Sequence, residues 1–148
     1  MSLYESLFRH ALYPLYETVL RRRKTLGYLA EYERNQWLSP QTIDVLQWTK
    51  LKRLVEHCWR EVPYYRRQWT ALGITPDDIQ SLADYRRLPM LGKSEIRDNF
   101  EDLQASSWRG RLMFKATGGS TGEPLRFGYT RVSYERRLAV MWRGYHWA

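Results

Sequence analysis

Apolar residues recur at helical spacing along the first segment of the chain, at about residues 2–24. The stripe consists of Leu3, Leu7, Ala11, Leu15 and Val19. Steps of about four residues are typical of one face of a helix. Pro14 interrupts the stripe, so we expect a kink or a break into two helices there.

A run of four cations, Arg21–Lys24, follows this stripe. Cations are favoured at the C-terminal end of a helix by its dipole, so the run is interpreted as a solvated helix end. Tyr and Leu on one face with Arg on the other also suit a helix that lies at a lipid headgroup boundary.

The middle of the chain shows further helix starts and stops. Ser39-Pro40 predicts the start of a second helix, which should end before Pro63. A short helix is expected after it, closed by Gly73. Cap residues at Thr75–Asp78 predict one more helix start. Residues 88–91 are expected to be extended, because the residue before Pro89 avoids helical geometry. Residues 93–100 are expected to be helical again.

Beyond Arg109 the pattern changes to strands. Residues 112–116 and 125–129 alternate as strands do, and the chain turns helical again from Arg131. The candidate apolar contacts of this last helix are Val132, Leu138, Val140, Met141 and Trp142. The predicted class is α/β, with residues 1–108 mainly helical and residues 109–148 forming strand, loop, strand and helix.

Composition narrows the function classes. The 148 residues suit one domain, with 43% apolar and 27% charged residues. The net charge of +8 suits proteins that handle phosphorylated ligands as well as nucleic-acid binders. A single cysteine, Cys58, excludes an internal disulfide, and we expect it to be a small core residue. The histidines show no metal-ligand spacing, and no apolar run reaches membrane-spanning length, so we expect a cytoplasmic protein without a metal site of its own.

The segment between the two strands carries the clearest chemistry. It contains Thr117, Gly118, Gly119, Ser120, Thr121 and Gly122, followed by Glu123-Pro124. Glycines allow backbone N–H groups to converge on an anion, and the hydroxyls add donors. Lys115 and Arg126 flank the loop. A Walker loop is excluded because Lys does not follow the last glycine. On composition alone, phosphate binding and a ligand-free flexible hairpin loop both stay open.

This segment closely resembles the phosphate-binding motif of the adenylate-forming superfamily, in the branch of phenylacetate–CoA ligases and CapK-type capsular polysaccharide biosynthesis proteins. Upstream residues agree with that branch in order and spacing: Pro63-Tyr64-Tyr65-Arg66, Gly73-Ile74, Leu88–Lys93 and Ile96-Arg97. The resemblance covers about residues 45–148. Many members of the superfamily have Lys where this chain has Leu125.

The resemblance implies an N-terminal part of the AMP-binding domain, or a reduced descendant, because the family's later elements do not occur in the chain. It implies ATP and Mg²⁺ as cofactors, with coenzyme A as a candidate acyl acceptor and an unidentified carboxylate as substrate. The remainder of such an enzyme is a candidate partner. Thr117, Ser120 and Thr121, with the backbone of Gly118, Gly119 and Gly122, would hold the phosphates. No catalytic residue is assigned, and the chain alone is expected not to complete the reaction.

Two alternatives belong to other classes. Aromatic and cationic residues interleave at Tyr64–Arg67, Trp108-Arg109 and Trp142-Arg143, as on surfaces that bind single-stranded nucleic acid. The competing interpretation is helix packing, with Arg stems lying over aromatic rings; no recognised nucleic-acid module organises them. The other alternative is a scaffold without a ligand.

Overall fold

The computed structural model describes residues 3–118 and 124–147. Within these ranges the chain is mostly helical, with one two-stranded sheet. It divides into two compact units, one formed by Met1–Ser39 with Thr130–Ala148 and the other by Pro40–Tyr129. The described helices include none that is long and apolar enough to cross a membrane.

The first unit contains a continuous helical run followed by two helices. The run comprises α1 (Leu3–Leu7) and two π-helical stretches, Phe8–Leu12 and Leu15–Leu20. Pro14 stands between those stretches in helical geometry, so the predicted interruption is a change of helix type. Helices α2 (Thr25–Asn35) and α7 (Arg131–Tyr145) follow and pack against each other.

Polar contacts hold α2 and α7 together. The Arg136 guanidinium donates a 3.2 Å hydrogen bond to the Tyr32 hydroxyl and lies 4.2 Å from the centre of the Tyr28 ring. His146 Nδ1 lies 2.6 Å from a carboxylate oxygen of Glu33. Among the residues of this unit whose burial the structure describes, Glu17, Thr25, Glu135 and Ala139 are buried, so carboxylates form part of its interior.

The last helix was predicted in position but only partly in its buried face. It begins after Thr130, whose hydroxyl caps the helix by accepting from the Ser133 amide. Leu138 and Trp142 are half-buried as expected, beside buried Glu135 and Ala139. The prediction was wrong for Val132, Val140 and Met141, which are exposed, because the i, i+3, i+4, i+7 face of this helix contains Glu135 and Ala139.

The second unit is built around α3 (Pro40–Glu61) and α4 (Pro63–Ala71). Helix α3 begins at Pro40, as the cap signal Ser39-Pro40 predicts, and α4 begins at Pro63. Gly73 follows the end of α4 with a φ of +66°, a conformation that glycine adopts without strain. The core consists of Val55, Trp69 and Ile79. Cys58 packs against this core, which confirms its predicted role.

Short helical elements connect this core to the sheet. Asp78 closes a capping box with Thr75, but the helix expected there is only the 3-10 turn Pro76–Asp78, because Ile79 leaves helical geometry and enters the core. Helices α5 (Leu82–Tyr85) and α6 (Lys93–Asp98) follow, and a 3-10 turn covers Ser106–Trp108.

The two strands form an antiparallel hairpin. Strand β1 (Met113–Ala116) pairs with β2 (Arg126–Tyr129) in a register that places Met113 opposite Tyr129 and Ala116 opposite Arg126. Both strands lie where the sequence predicts them. All four residues of β1 are exposed, so the hairpin makes little core of its own.

Candidate functional site

The glycine-rich segment is joined to the hairpin by a pair of hydrogen bonds at its base. The Thr117 amide donates to the Leu125 carbonyl at 3.0 Å, and the Leu125 amide donates to the Thr117 hydroxyl at 2.9 Å. The Thr117 side chain thus accepts the bond that a strand carbonyl would otherwise accept. These bonds extend the ladder by one position and fix the two ends of the loop next to each other.

Of the residues proposed to bind phosphate, Thr117 and Gly118 belong to the described structure, and both are exposed. Gly119, Ser120, Thr121 and Gly122 lie outside the described residues. The Thr117 hydroxyl accepts a hydrogen bond from the Leu125 amide. It can also donate a hydrogen bond to a ligand, because a hydroxyl is both donor and acceptor.

Gly118 and Gly128 differ in whether neighbouring atoms leave room for a side chain. A Cβ added at Gly118 meets no described atom within 4 Å, and its φ lies outside the left-handed range. A Cβ added at Gly128 would lie 3.1 Å from Leu112 and 3.3 Å from Phe114. Packing therefore explains the glycine at 128, whereas no described contact explains the one at 118.

The two cations that flank the loop are stacked on aromatic rings. The Arg126 guanidinium carbon lies 4.8 Å from the Phe100 ring centre and 4.5 Å from that of Phe114. The Lys115 ammonium lies 5.4 Å from the Tyr129 ring centre. Each cation thus keeps its charge close to the strands, and these contacts stabilise the base of the hairpin.

The second unit also contains a cleft that sequence reasoning missed. Its volume is about 530 Å³, and its lining includes Cys58, Tyr65, Trp69, Tyr85 and Arg86. Burial raises the pKa of the Cys58 thiol, and burial is also the main cause of the raised pKa of Tyr65. The thiol is therefore kept neutral, and the cleft offers an apolar wall rather than a nucleophile. The residues that line the cleft come from segments that are separate in sequence, so hydrophobic periodicity does not group them.

The interleaved aromatic and cationic residues are engaged within the protein. Arg67 donates to Asp102 at 2.8 Å and to Asn99 at 3.0 Å, and its guanidinium lies 5.8 Å from the Tyr64 ring centre. Arg143 lies 5.1 Å from the Trp147 ring centre. These contacts favour helix packing over a stacking surface for single strands.

Acidic and thiol side chains do not converge on a metal site in the part of the chain that the structure describes. No group of three or more His, Cys, Asp and Glu side chains there could hold a metal ion.

Comparison with known proteins gives relatives of one kind. No family model matches the chain. It is 36% identical over 94 residues to a phenylacetate-coenzyme A ligase of Escherichia coli, and these residues make up 63% of this chain and 22% of the ligase. It is 37% identical over 106 residues to the phenylacetate-coenzyme A ligase of Aromatoleum evansii, covering 71% of this chain and 24% of that protein. The enzyme of the same name from Thermus thermophilus is 34% identical over 95 residues.

These similarities support the relation to the adenylate-forming ligases that the motif at residues 117–125 predicts. The chain spans less than a quarter of the length of the curated relatives it matches. What those whole enzymes do therefore enters below only as a proposal.

Proposed function

We propose that this chain supplies the ATP phosphate-binding hairpin of a carboxylate-activating, acyl-adenylate-forming ligase similar to phenylacetate–CoA ligase. The observation that carries the proposal is the clamp at Thr117 and Leu125, which fixes the ends of a glycine- and hydroxyl-rich loop in a chain with ligase relatives. The finer assignment to the branch with CapK-type proteins rests on Leu125, an apolar residue in the position where many ligases have Lys.

The chemistry asked of the hairpin is positional and electrostatic. A carboxylate oxygen attacks the α-phosphorus of ATP, the bond to the bridging oxygen breaks, and pyrophosphate leaves as the acyl-adenylate forms. A thiol such as that of coenzyme A then takes the acyl group and releases AMP. Donors fixed around the β- and γ-phosphates stabilise the charge that develops on the leaving pyrophosphate.

Individual residues take separate parts in this scheme. The Thr117 hydroxyl accepts a hydrogen bond from the Leu125 amide and donates one to a phosphate oxygen. Open space at Gly118 lets a phosphate approach the backbone, where a side chain would otherwise stand. Ser120 and Thr121 supply further hydroxyls, and Gly119 and Gly122 further amides. Mg²⁺, when bound, neutralises phosphate oxygens. Since ATP and coenzyme A are cytoplasmic cosubstrates, the cytoplasm is the proposed compartment.

The glycine pair gives the sharpest test. Gly118→Ala is expected to leave the unfolding free energy within about 0.5 kcal/mol of the unchanged chain, because its Cβ meets no described atom. It should nevertheless weaken ATP affinity at least about tenfold in calorimetric titration with Mg²⁺, since a methyl group would occupy the approach to the backbone. Gly128→Ala is the matched control, in which stability falls while the affinity of the folded fraction stays.

Thr117 offers a second pair of variants. Thr117→Ser keeps the hydroxyl that accepts from Leu125, whereas Thr117→Val removes it without changing shape. ATP binding retained by the valine variant, or unaffected by Ser120→Ala with Thr121→Ala, would contradict the proposal. Because the chain corresponds to less than a quarter of the relatives' length, we expect residues 1–148 to bind ATP without ATP–pyrophosphate exchange.

A further inference from the structure

The outer face of the first helical run is apolar. Between Leu3 and Leu20 the exposed large apolar residues are Leu3, Tyr4, Leu7, Phe8, Leu12, Leu15, Tyr16, Val19 and Leu20. Leu3 is 90% exposed, Val19 62% and Leu20 71%. The run does contain an acidic residue on its inner face, since Glu17 is only 4% exposed. Large apolar side chains are thus exposed where a water-facing helix ordinarily has polar ones.

The turn that follows leaves three cations on the surface next to this apolar face. Arg23 points to Glu17, with 3.0 Å between its guanidinium nitrogen and the carboxylate oxygen. Arg21, Arg22 and Lys24 are exposed. Arg21 Nε also donates to the Tyr16 hydroxyl at 2.7 Å, which connects the first cation directly to the apolar face.

The turn is held in this arrangement by the last helix. Arg131 donates to the carbonyl oxygens of Arg21 and Arg22 at 2.6 and 2.7 Å. Arg22 has a φ of +50°, a left-handed conformation that a non-glycine residue keeps only when its surroundings fix it. The basic turn is therefore a built feature of the unit.

We propose that the helical run Leu3–Leu20 and the basic turn Arg21–Lys24 bind the surface of an anionic lipid bilayer, with the apolar face inserted at the headgroup boundary. Apolar burial and attraction between cations and anionic lipids act together in such helices. The Glu17 carboxylate is buried and paired with Arg23, so it does not face the lipids. The tyrosines Tyr4 and Tyr16 have an apolar ring and a polar tip, as this boundary requires.

Charge favours the bilayer over a second copy of the chain as the occupant. A copy packed by the same face would bring the same three cations, Arg21, Arg22 and Lys24, close to their own counterparts. A bilayer with anionic headgroups supplies the opposite charge, and each cation near such a surface is worth about a fivefold gain in binding. The net charge of +8 acts in the same direction.

The test is flotation of the 148-residue chain with two kinds of vesicle, phosphatidylcholine alone and phosphatidylcholine with 30% phosphatidylglycerol. We expect binding to the anionic vesicles, much weaker binding to the neutral ones, and loss of binding at high salt. R21Q/R22Q should lower binding about 25-fold. L15Q/V19Q should lower it at least about tenfold, by removing apolar contact.

Matched controls come from exposed residues of the second unit. R53Q/R86Q removes the same number of charges, and V45Q/M90Q the same number of exposed apolar side chains; Val45 is 67% and Met90 94% exposed. Neither pair should change vesicle binding more than about twofold. Leu3→Gln, at the 90% exposed first turn, is an additional variant that leaves all internal contacts in place.

Three results would overturn the proposal. One is equal binding to neutral and anionic vesicles, and another is a control pair that lowers binding as much as its test pair. The third is a chain that ignores both vesicles while L15Q/V19Q halves its mass in light scattering, since that would assign the face to a second copy. Far-UV circular dichroism confirms that each variant remains folded.

Discussion

Glu135 joins three segments of the first unit, and its removal should destabilise that unit strongly. The side chain is 4% exposed. One carboxylate oxygen accepts from the Lys24 amide at 3.1 Å, and the other from Arg131 Nε at 2.9 Å. Arg131 in turn holds the turn at residues 21–22. Glu135→Ala therefore removes the anchor of the basic turn.

The size of the effect follows from three contributions. The part-buried Lys24 amide loses its acceptor, which costs about 1–3 kcal/mol. The ion pair contributes only about 0.5–1 kcal/mol, because the Arg131 side chain is 59% exposed and hydrated when released. The vacated space costs about 1 kcal/mol more. We expect Glu135→Ala to lower the unfolding free energy by about 3 kcal/mol.

Urea unfolding, followed by circular dichroism and tryptophan fluorescence, measures this loss. Glu135→Gln keeps the size and one acceptor oxygen, so it should lose only about half as much. Glu33→Ala is the matched control, because Glu33 is a carboxylate of the same unit whose side chain is 39% exposed and pairs only with His146 among the described residues; it should cost at most about 0.5 kcal/mol. A loss below 0.5 kcal/mol for Glu135→Ala, or an equal loss for Glu33→Ala, would refute the reasoning.

Three further outcomes concern the second unit. Gly128→Ala should cost about 1 kcal/mol, because the new Cβ would lie 3.1 Å from Leu112; a stabilised hairpin in thermal unfolding would contradict this. Val55→Ala, at 3% exposure, should cost about 2 kcal/mol, whereas Val45→Ala, at 67% exposure, should stay within about 0.5 kcal/mol in urea unfolding. Burial raises the pKa of the Cys58 thiol. The contribution of the neutral thiol to the free energy of unfolding is therefore complete below about pH 8.5, and it is lost as the pH rises through the raised pKa. Cys58→Ala should therefore lose less stability between pH 8 and 9.5 than the unchanged chain does.

Elements with local signals could be predicted from the sequence. Ser39-Pro40 marks the start of α3, and Pro63 the boundary between α3 and α4. Thr130 precedes α7 as an N-cap. The hairpin strands were recognisable because a glycine-rich stretch separates two short apolar segments. Each of these signals depends on residues close in sequence, so no knowledge of tertiary contacts was needed.

Helix α2 was not predicted, because its signals are weak. It begins after Lys24 without a side-chain cap and contains Gly27. Its buried residue is Thr25, so the usual stripe of aliphatic residues is missing. The helix is stabilised by contacts with α7, such as the Tyr28 and Tyr32 contacts of Arg136. These partners lie more than 100 residues away in sequence, beyond the range of any periodicity.

The same limit explains why apolar spacing predicted the first helical run but not its surroundings. A stripe from Leu3 to Val19 indicates a helix with one apolar face, and it is ordinarily assigned to the core. Here the inward position is taken by Glu17, because Arg23 of the following turn supplies a partner for the carboxylate. A buried acid is tolerated only where such a partner exists. Periodicity gives the direction of a face along the helix, whereas the partner decides which face is buried.

The two hairpin glycines show how fold and function make different demands on one residue type. In the sequence Gly118 belongs to the loop after the first strand, and Gly128 lies within the second strand. In the structure the space around Gly128 is filled by Leu112 and Phe114, whereas no described atom lies within 4 Å of a Cβ added at Gly118. Where close packing requires a glycine, as at Gly128, the glycine is explained by the fold alone. The described contacts do not explain the glycine at 118, and the proposal above explains it by close approach of a ligand to the backbone. That difference, together with the clamp at Thr117, is why the loop rather than the apolar cleft is the proposed site of nucleotide binding.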